Sequence, residues 1–219
     1  MTPYFDRDGI TIYHARCEDV LPDIDPATVD LLLTDPPYGI NLDTDNRGLT
    51  RGGRSHAPVA GDSQRFDPSG LLLFGTCVLF GANLYAHSLP ERGSWLVWDR
   101  DIVSGFAHRS QAELAWTNAF NGGVRLCRVP WDGNHRVRLE PATAFVHPTQ
   151  KPVALMRWII DRWTKPGDLV FDPYMGSGPV AQACHELGRR YIGIELVEDY
   201  CAVAVTRLRQ GTLDFGGAA

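Results

Sequence analysis

The stretch that decides the fold runs LVFDPYMGSGPVAQACHELGRRYIGIE, from residue 169 to residue 195. An apolar run closing on Asp172 predicts a short buried strand. The glycine-rich run that follows allows a tight turn, and Pro179 suits the first position of a helix that ends before Gly188. Residues 191–195 predict the next strand. A strand, a glycine turn, a helix and a strand in this order predict a parallel α/β sheet.

The glycine turn also suits a ligand bound at the helix N-terminus. Gly176, Gly178 and Ala181 match the dinucleotide pattern G-x-G-x-x-A. Glu195 ends the next strand about 20 residues later, where an acidic side chain can accept hydrogen bonds from both hydroxyls of a ribose. Taken alone, this motif is compatible with S-adenosylmethionine, with NAD, or with a turn that binds nothing.

A second motif, DPPY at residues 35–38, closes the apolar run of residues 29–34. Two consecutive prolines cannot continue a sheet because neither has an N–H to donate. The Asp35 carboxylate, the Pro36 carbonyl and the Tyr38 ring are therefore held at the carboxyl end of a strand, where open α/β sheets bind ligands. The two acceptors can hold both hydrogens of one NH2 group while the ring stacks on a flat heterocycle. This motif is either a pocket for the exocyclic amine of a nucleobase or only a rigid turn.

Together the two motifs favour S-adenosylmethionine over NAD, because an aspartate precedes the glycines and a dehydrogenase needs no amine-binding tetrapeptide. With a third segment, HPTQKP at residues 147–152, the chain resembles the β-type DNA amino-methyltransferases of the adenine-N6 and cytosine-N4 family, and is most similar to small phage-encoded and orphan members. In that type the tetrapeptide precedes the cofactor loop, as it does here. The resemblance implies a class I S-adenosylmethionine-dependent methyltransferase fold, an α/β doubly wound and mostly parallel sheet with circularly permuted motif order.

The resemblance further implies site-specific DNA methylation on a flipped-out base, as in restriction-modification. Aspartate in the first tetrapeptide position is more usual for adenine-N6 enzymes and serine for cytosine-N4 enzymes, so adenine-N6 is expected and cytosine-N4 is the alternative. A catalytically silent nucleic-acid-binding module and an NAD-dependent oxidoreductase are further alternatives. None of the five cysteines follows a proline, which sets cytosine-C5 methylation aside.

The residue roles follow from the same resemblance. Many relatives carry an aspartate in the adenosine-contacting segment where this chain has Arg16, and Glu18 or Asp19 is expected to substitute. The expected catalytic residues are Asp35, Pro36, Pro37 and Tyr38. The expected cofactor-binding residues are Asp19, Thr149, Lys151, Asp172, Pro173, Tyr174, Gly176, Ser177, Gly178 and Glu195.

The net charge of −5 is unfavourable for a DNA-binding protein, but the distribution of charge matters more than the sum. Arginines cluster in a loop at about residues 40–68 and in a hairpin at about residues 123–146. These two segments are predicted to face double-stranded DNA, with ordinary solvated surface as the alternative for any single arginine. The expected DNA-binding residues are Arg47, Arg51 and Arg54 in the loop, and Trp131, Arg136 and Arg138 in the hairpin.

The length predicts one methyltransferase domain over residues 1–219 without a separate target-recognition domain. The loop and the hairpin would then recognise DNA, alone or with the second subunit of a homodimer. The sequence shows neither an apolar run of membrane-spanning length nor a signal peptide, so a cytoplasmic protein without membrane contact is expected. Scattered cysteines and histidines predict no metal site. Further strands are predicted at residues 10–13, 94–98, 112–116 and 123–129, and helices at 69–79, 153–163 and 198–208.

Overall fold

A computed structural model of the chain describes residues 1–40, 61–100, 110–130 and 150–211. Within these ranges the chain forms strands and helices joined by short 3-10 turns. The strands are β1 (Phe5–Arg7), β2 (Ile10–His14), β3 (Leu31–Thr34), β4 (Cys77–Phe80), β5 (Ser94–Asp99), β6 (Ala112–Thr117), β7 (Val124–Arg128), β8 (Leu169–Asp172) and β9 (Arg190–Glu195). The helices are α1 (Cys17–Val20), α2 (Val153–Trp163), α3 (Pro179–Leu187) and α4 (Glu198–Gly211).

All of these strands join one sheet in the order β1-β2-β9-β8-β3-β4-β6-β5-β7. Strands β2, β9, β8, β3 and β4 run parallel to one another. The antiparallel pairs are β1 with β2, β4 with β6, and β5 with β6, while β7 lies parallel to β5 at the other edge. The predicted α/β fold with a mostly parallel sheet is therefore confirmed.

Strand β3 shows how both faces of the sheet are covered. Its side chains alternate between faces, so Leu31 and Leu33 pack with the buried residues of α2, α3 and α4. Leu32 packs on the opposite face with Phe74 and Phe171, beneath short turns rather than long helices. A strand buried on both faces has an apolar run without alternation, which is the pattern of residues 31–33.

The position of β3 beside β8 creates the site. Leu31 pairs with Val170 and Leu32 with Phe171, although the two strands lie far apart in the sequence. The tetrapeptide and the glycine turn therefore leave the sheet side by side at its carboxyl edge. The Thr34 hydroxyl donates a 2.7 Å hydrogen bond to Oδ1 of Asp172, which ties the two strand ends together.

One predicted helix is wrong. Residues 69–79 do not form a helix, because Leu71–Leu73 is a single 3-10 turn and Cys77–Phe80 is the buried strand β4. An apolar run that is buried on every side carries no periodicity, so a helix and a central strand look alike in the sequence. Strand β1 and helix α1 were not predicted.

The predicted DNA-facing segments are only partly described. Residues 61–68 of the loop and residues 123–130 of the hairpin are described, and the latter contain the edge strand β7. The residues predicted to bind DNA, namely Arg47, Arg51, Arg54, Trp131, Arg136 and Arg138, all lie outside the described residues. Within the described ranges, no helix has the length and apolar character needed to cross a membrane.

Candidate active site

A cavity of about 540 Å³ opens at the carboxyl ends of β3 and β8. Both predicted motifs line it, through residues 35–38 of the tetrapeptide and residues 172–177 of the glycine turn. Its volume lies within the range of pockets that enclose a small organic ligand. The segment 61–67, Gln150 and Lys151 complete its wall. The structure thus brings together the two motifs that the sequence analysis treated as one site.

The Asp35 carboxylate is partly buried and both of its oxygens carry a hydrogen bond. The Tyr38 hydroxyl donates a very short hydrogen bond to Oδ1, and Nζ of Lys151 lies 2.5 Å from Oδ2. Burial raises the pKa of the Asp35 carboxyl above its ordinary value, against the opposing effect of the Lys151 ammonium. A ligand amine would share this carboxylate with these two donors or replace one of them, since a carboxylate offers about four lone-pair positions.

Lys151 was predicted to contact the cofactor, and the structure places its ammonium on the Asp35 carboxylate. Nζ also lies 3.1 Å from Oε2 of Glu113 and 3.5 Å from the hydroxyl oxygen of Tyr38. Burial alone would lower the pKa of Lys151, but the Asp35 and Glu113 carboxylates hold it well above its ordinary value. Glu113 was not predicted as a site residue, since in the sequence it is one polar residue within strand β6.

The tetrapeptide is held in place by Asp62, which the sequence analysis also missed. Oδ1 of this buried side chain accepts hydrogen bonds from the backbone N–H groups of Tyr38 (2.9 Å), Gly39 (2.7 Å) and Ile40 (3.3 Å). Gly81 backs the Tyr38 ring so closely that a Cβ there would lie 1.9 Å from a ring carbon. A lone aspartate in a glycine-rich loop has no pattern that marks such a role.

The glycine turn is bound to Glu195 at the end of β9. Oε2 of Glu195 accepts from the Gly176 N–H and Oε1 from the Val197 N–H, both at 2.8 Å. Burial raises the pKa of the Glu195 carboxyl. The Ser177 hydroxyl lies in the cavity wall, is buried, and has no hydrogen-bond partner among the described residues. An unpartnered buried hydroxyl is costly, which fits a site built for a polar ligand.

Asp172, predicted to contact the cofactor, lines the cavity and is also hydrogen-bonded to the protein. In addition to the Thr34 hydroxyl, Oδ1 accepts from the Tyr174 N–H at 3.3 Å, and Oδ2 lies 3.4 Å from the Tyr191 hydroxyl. Burial raises the pKa of Asp172 to about 7. The residue thus joins β3, β8 and β9 in the wall of the cavity.

The remaining predicted cofactor residues fall into three groups. Pro173, Tyr174 and Gly176 line the cavity. Gly178 does not, and a Cβ there would lie 2.6 Å from Cβ of Ala204, so this glycine allows α4 to approach the turn. Asp19 is exposed and does not line the cavity, and Thr149 lies outside the described residues.

In the segment predicted to contact the adenosine, two residues near Asp19 lie in the cavity wall. Arg16 and Glu18 both line the cavity, and Nε of Arg16 lies 3.5 Å from Oε2 of Glu18. The assignment of Asp19 stays a prediction, as do the roles of the other site residues. Among the described residues, no group of three or more histidine, cysteine, aspartate or glutamate side chains is arranged to hold a metal ion.

Comparison with known proteins gives the family. A family model described as a DNA methylase matches residues 92–206. The type II methyltransferase M2.LlaDCHI of Lactococcus lactis subsp. cremoris is 26% identical, over 95% of this chain and 93% of its own length. The type II methyltransferase M2.DpnII of Streptococcus pneumoniae is 25% identical, over 94% and 92%. The type II methyltransferase M.Cfr9I of Citrobacter freundii is 40% identical over a shorter region, 41% of this chain and 28% of that protein.

Solved structures agree on the fold. A crystal structure of the M1.HpyAVI–SAM complex superposes with a TM-score of 0.55 at 23% identity, over 91% of this chain and 99% of that chain. The PvuII DNA methyltransferase, described as cytosine-N4-specific, gives a TM-score of 0.58 at 14% identity, over 90% and 86%. The chain belongs to the DNA methylase family of adenine-N6 and cytosine-N4 enzymes. It is accordingly an S-adenosylmethionine-dependent DNA methyltransferase, as the resemblance implied.

Proposed function

We propose that this protein transfers a methyl group from S-adenosylmethionine to the exocyclic N6 of an adenine flipped out of double-stranded DNA. The observation that carries the proposal is that Asp35 and the glycine turn with Ser177 line the same cavity. A methyl donor held at the turn and an amine held at Asp35 would meet there. The base must be flipped because its amine cannot be reached inside a duplex.

Methyl transfer requires a localised lone pair on the attacking nitrogen, and an aromatic amine is a weak nucleophile. The Asp35 carboxylate and the Pro36 carbonyl, which both belong to residues lining the cavity, would each accept one N–H. Two such bonds favour a pyramidal nitrogen with its lone pair aimed at the sulfonium methyl group. Alignment of this kind can supply roughly 7–11 kcal/mol of the barrier. The methylated nitrogen is cationic and then loses a proton, so no separate strong base is required.

Tyr38 changes its partner in this proposal. Its hydroxyl lies on Oδ1 of Asp35, which is the atom that the target amine needs. When a base enters, the hydroxyl leaves Oδ1 and the ring stacks on the base. The stacking contact and the new N–H bond then replace the contact within the protein.

The cofactor would lie against the glycine turn. The Glu195 carboxylate keeps acceptor capacity beyond its two backbone bonds, since a carboxylate offers about four lone-pair positions. That capacity suits the two hydroxyls of a ribose. The Ser177 hydroxyl, which has no partner in the described ranges, suits another polar group of the same ligand. Arg16 and Glu18 line the region assigned to the adenosine.

Cytosine-N4 is the second candidate, supported by the fold shared with the PvuII enzyme. Asp35 in the first tetrapeptide position favours adenine. Incubation with labelled S-adenosylmethionine and unmethylated bacterial DNA, followed by nucleoside mass spectrometry, distinguishes the two. N6-methyladenine is expected. N4-methylcytosine would replace the adenine assignment, and the absence of any methylated nucleoside with cofactor-loaded protein would refute the proposal as a whole.

A further inference from the structure

Four charged side chains of alternating sign run from the end of β5 to the tetrapeptide. Nη1 of Arg100 lies 3.6 Å from Oε1 of Glu113, and Oε2 of Glu113 lies 3.1 Å from Nζ of Lys151. Lys151 in turn contacts Oδ2 of Asp35 at 2.5 Å. All four side chains are less than 30% exposed, so solvent screens their interactions only partly.

Lys151 has no donor left for a cofactor. An ammonium group carries three N–H donors and no acceptor. The structure offers it three acceptors, namely Asp35, Glu113 and, at the longest distance, the Tyr38 hydroxyl oxygen. A buried ammonium costs several kcal/mol unless it is paired in good geometry, and only 6% of this side chain is exposed. The ion pairs with Asp35 and Glu113 therefore hold the Lys151 ammonium in position.

We propose that Lys151 is a positioning residue for Asp35 and that Glu113 in turn positions Lys151. This inference rests on the proposed role of Asp35 as the acceptor of the target amine. Lys151 holds Oδ2 and so fixes the orientation of the carboxylate, with Oδ1 turned toward the Tyr38 hydroxyl and available to the amine. Lys151 also keeps the partly buried Asp35 ionised, so that Asp35 accepts a hydrogen bond instead of donating one.

Removing the ammonium would leave two carboxylates facing each other. Asp35 and Glu113 contact the same Nζ, so without it one of them would take up a proton more readily. Within the part of the chain that the structure describes, the other groups that face Asp35 are the phenol groups of Tyr38 and Tyr85 and, at the end of β8, the carboxyl of Asp172. These groups supply no positive charge, so they cannot replace Lys151.

The test titrates Asp35 directly, by NMR of its labelled carboxyl carbon in the full-length protein, with the resonance identified by Asp35→Asn. Lys151→Met should raise the pKa of Asp35 by about one pH unit or more. The double variant Lys151→Met, Glu113→Gln should bring it back down, because the facing carboxylate is also gone. The control is Lys165→Met, which changes the only other lysine of the chain, an exposed one, and should leave the titration unchanged.

Two further measurements separate positioning from cofactor binding. Lys151→Met should bind S-adenosylhomocysteine within about twofold of wild type by calorimetry, while single-turnover methyl transfer at neutral pH falls about 100-fold. Its rate should recover as the pH rises through the raised pKa of Asp35, since the carboxylate is the active form. A tenfold weaker cofactor affinity with an unchanged Asp35 titration would overturn the inference.

Two controls keep the inference and the proposed function separable. If Lys151→Met does not fold, Glu113→Gln serves as the test. This variant should lower the pKa of Asp35, and an unchanged pKa would contradict the proposed coupling of Glu113 to Asp35 through Lys151. The titrations need no DNA. Wild-type protein that binds cofactor but methylates no DNA would therefore refute the proposed function without deciding how Asp35 is positioned.

Discussion

Asp35 is the residue on which the proposed chemistry depends most directly. Asp35→Ala should reduce methyl transfer at least about 100-fold, because the amine loses both an acceptor and its alignment. Cofactor affinity should stay within about twofold, since the carboxylate contacts Tyr38 and Lys151 rather than the glycine turn. Single-turnover rates and calorimetry measure the two effects, with the exposed Asp23→Ala as the matched control. Near wild-type turnover in Asp35→Ala would remove the basis of the proposed mechanism.

Tyr38 combines a hydroxyl and a ring whose roles can be separated by substitution. Tyr38→Phe removes the hydroxyl that occupies Asp35 but keeps the stacking surface, so kcat/KM should stay within about threefold of wild type. Tyr38→Ala also loses the stacking surface, worth about 1–3 kcal/mol per base, and should lower kcat/KM roughly 5- to 150-fold. If Phe and Ala are equally impaired in steady-state assays on DNA, the hydroxyl rather than the ring carries the function.

Asp172 gives the protein a pH-dependent stability. Its pKa of about 7 in the folded state exceeds the ordinary carboxyl value, so the folded state holds the proton more tightly than the unfolded chain does. Its contribution to stability is therefore complete below about pH 4 and is lost as the pH rises to about 7. Asp172→Asn can keep the Thr34 bond and removes the titration. By urea unfolding, its stability relative to wild type should rise by roughly 1–4 kcal/mol between about pH 5 and about pH 8. A constant difference would show that the carboxyl is already ionised at pH 5.

The end of β4 supports the tetrapeptide from behind. Gly81 has a φ of 66°, and a Cβ there would run into the Tyr38 ring. Gly81→Ala should displace Tyr38 and lower methyl transfer about tenfold or more, with little change in cofactor affinity. Gly75→Ala is the matched control, because a Cβ at that position meets nothing within 4 Å. Equal activity of the two variants would mean that the ring position seen here is not the one used in catalysis.

The strands that carry the motifs were predictable, whereas β4 was not. The apolar runs before Asp35 and before Asp172 end at a proline, and a strand that stops at a proline is a local signal. Strand β4 has no such signal, because its four residues are apolar and buried on both faces and therefore show no alternation. The polar partners Asp62 and Glu113 were missed for a related reason. Each contacts a residue distant in the sequence, and no local spacing marks such a contact.

The site as a whole depends on strand order, which periodicity cannot supply. The tetrapeptide and the glycine turn meet because β3 and β8 are neighbours in the sheet. Each motif alone predicts only that a ligand binds at a carboxyl edge of the sheet. It was the resemblance to the methyltransferase family that combined the two motifs in one site, and the topology confirms that they adjoin. The DNA-facing surface has no comparable support, since its predicted arginines lie outside the described residues.

Salt dependence of DNA binding tests those arginines without reference to their conformation. Each phosphate contact contributes about 0.9 to the slope of log affinity against log salt, so changing Arg47, Arg51 and Arg54 to Ala should flatten that slope by up to about 2.7. Cofactor affinity should be unchanged, because the three arginines belong to the predicted DNA-facing loop and not to the glycine turn to which we assign the cofactor. The matched variant changes Arg136 and Arg138 to Ala in the predicted hairpin. A slope altered only in the hairpin variant would move DNA binding from the loop to the hairpin. If the slope changes in both variants, the loop and the hairpin both contribute to the DNA-binding surface of the protein.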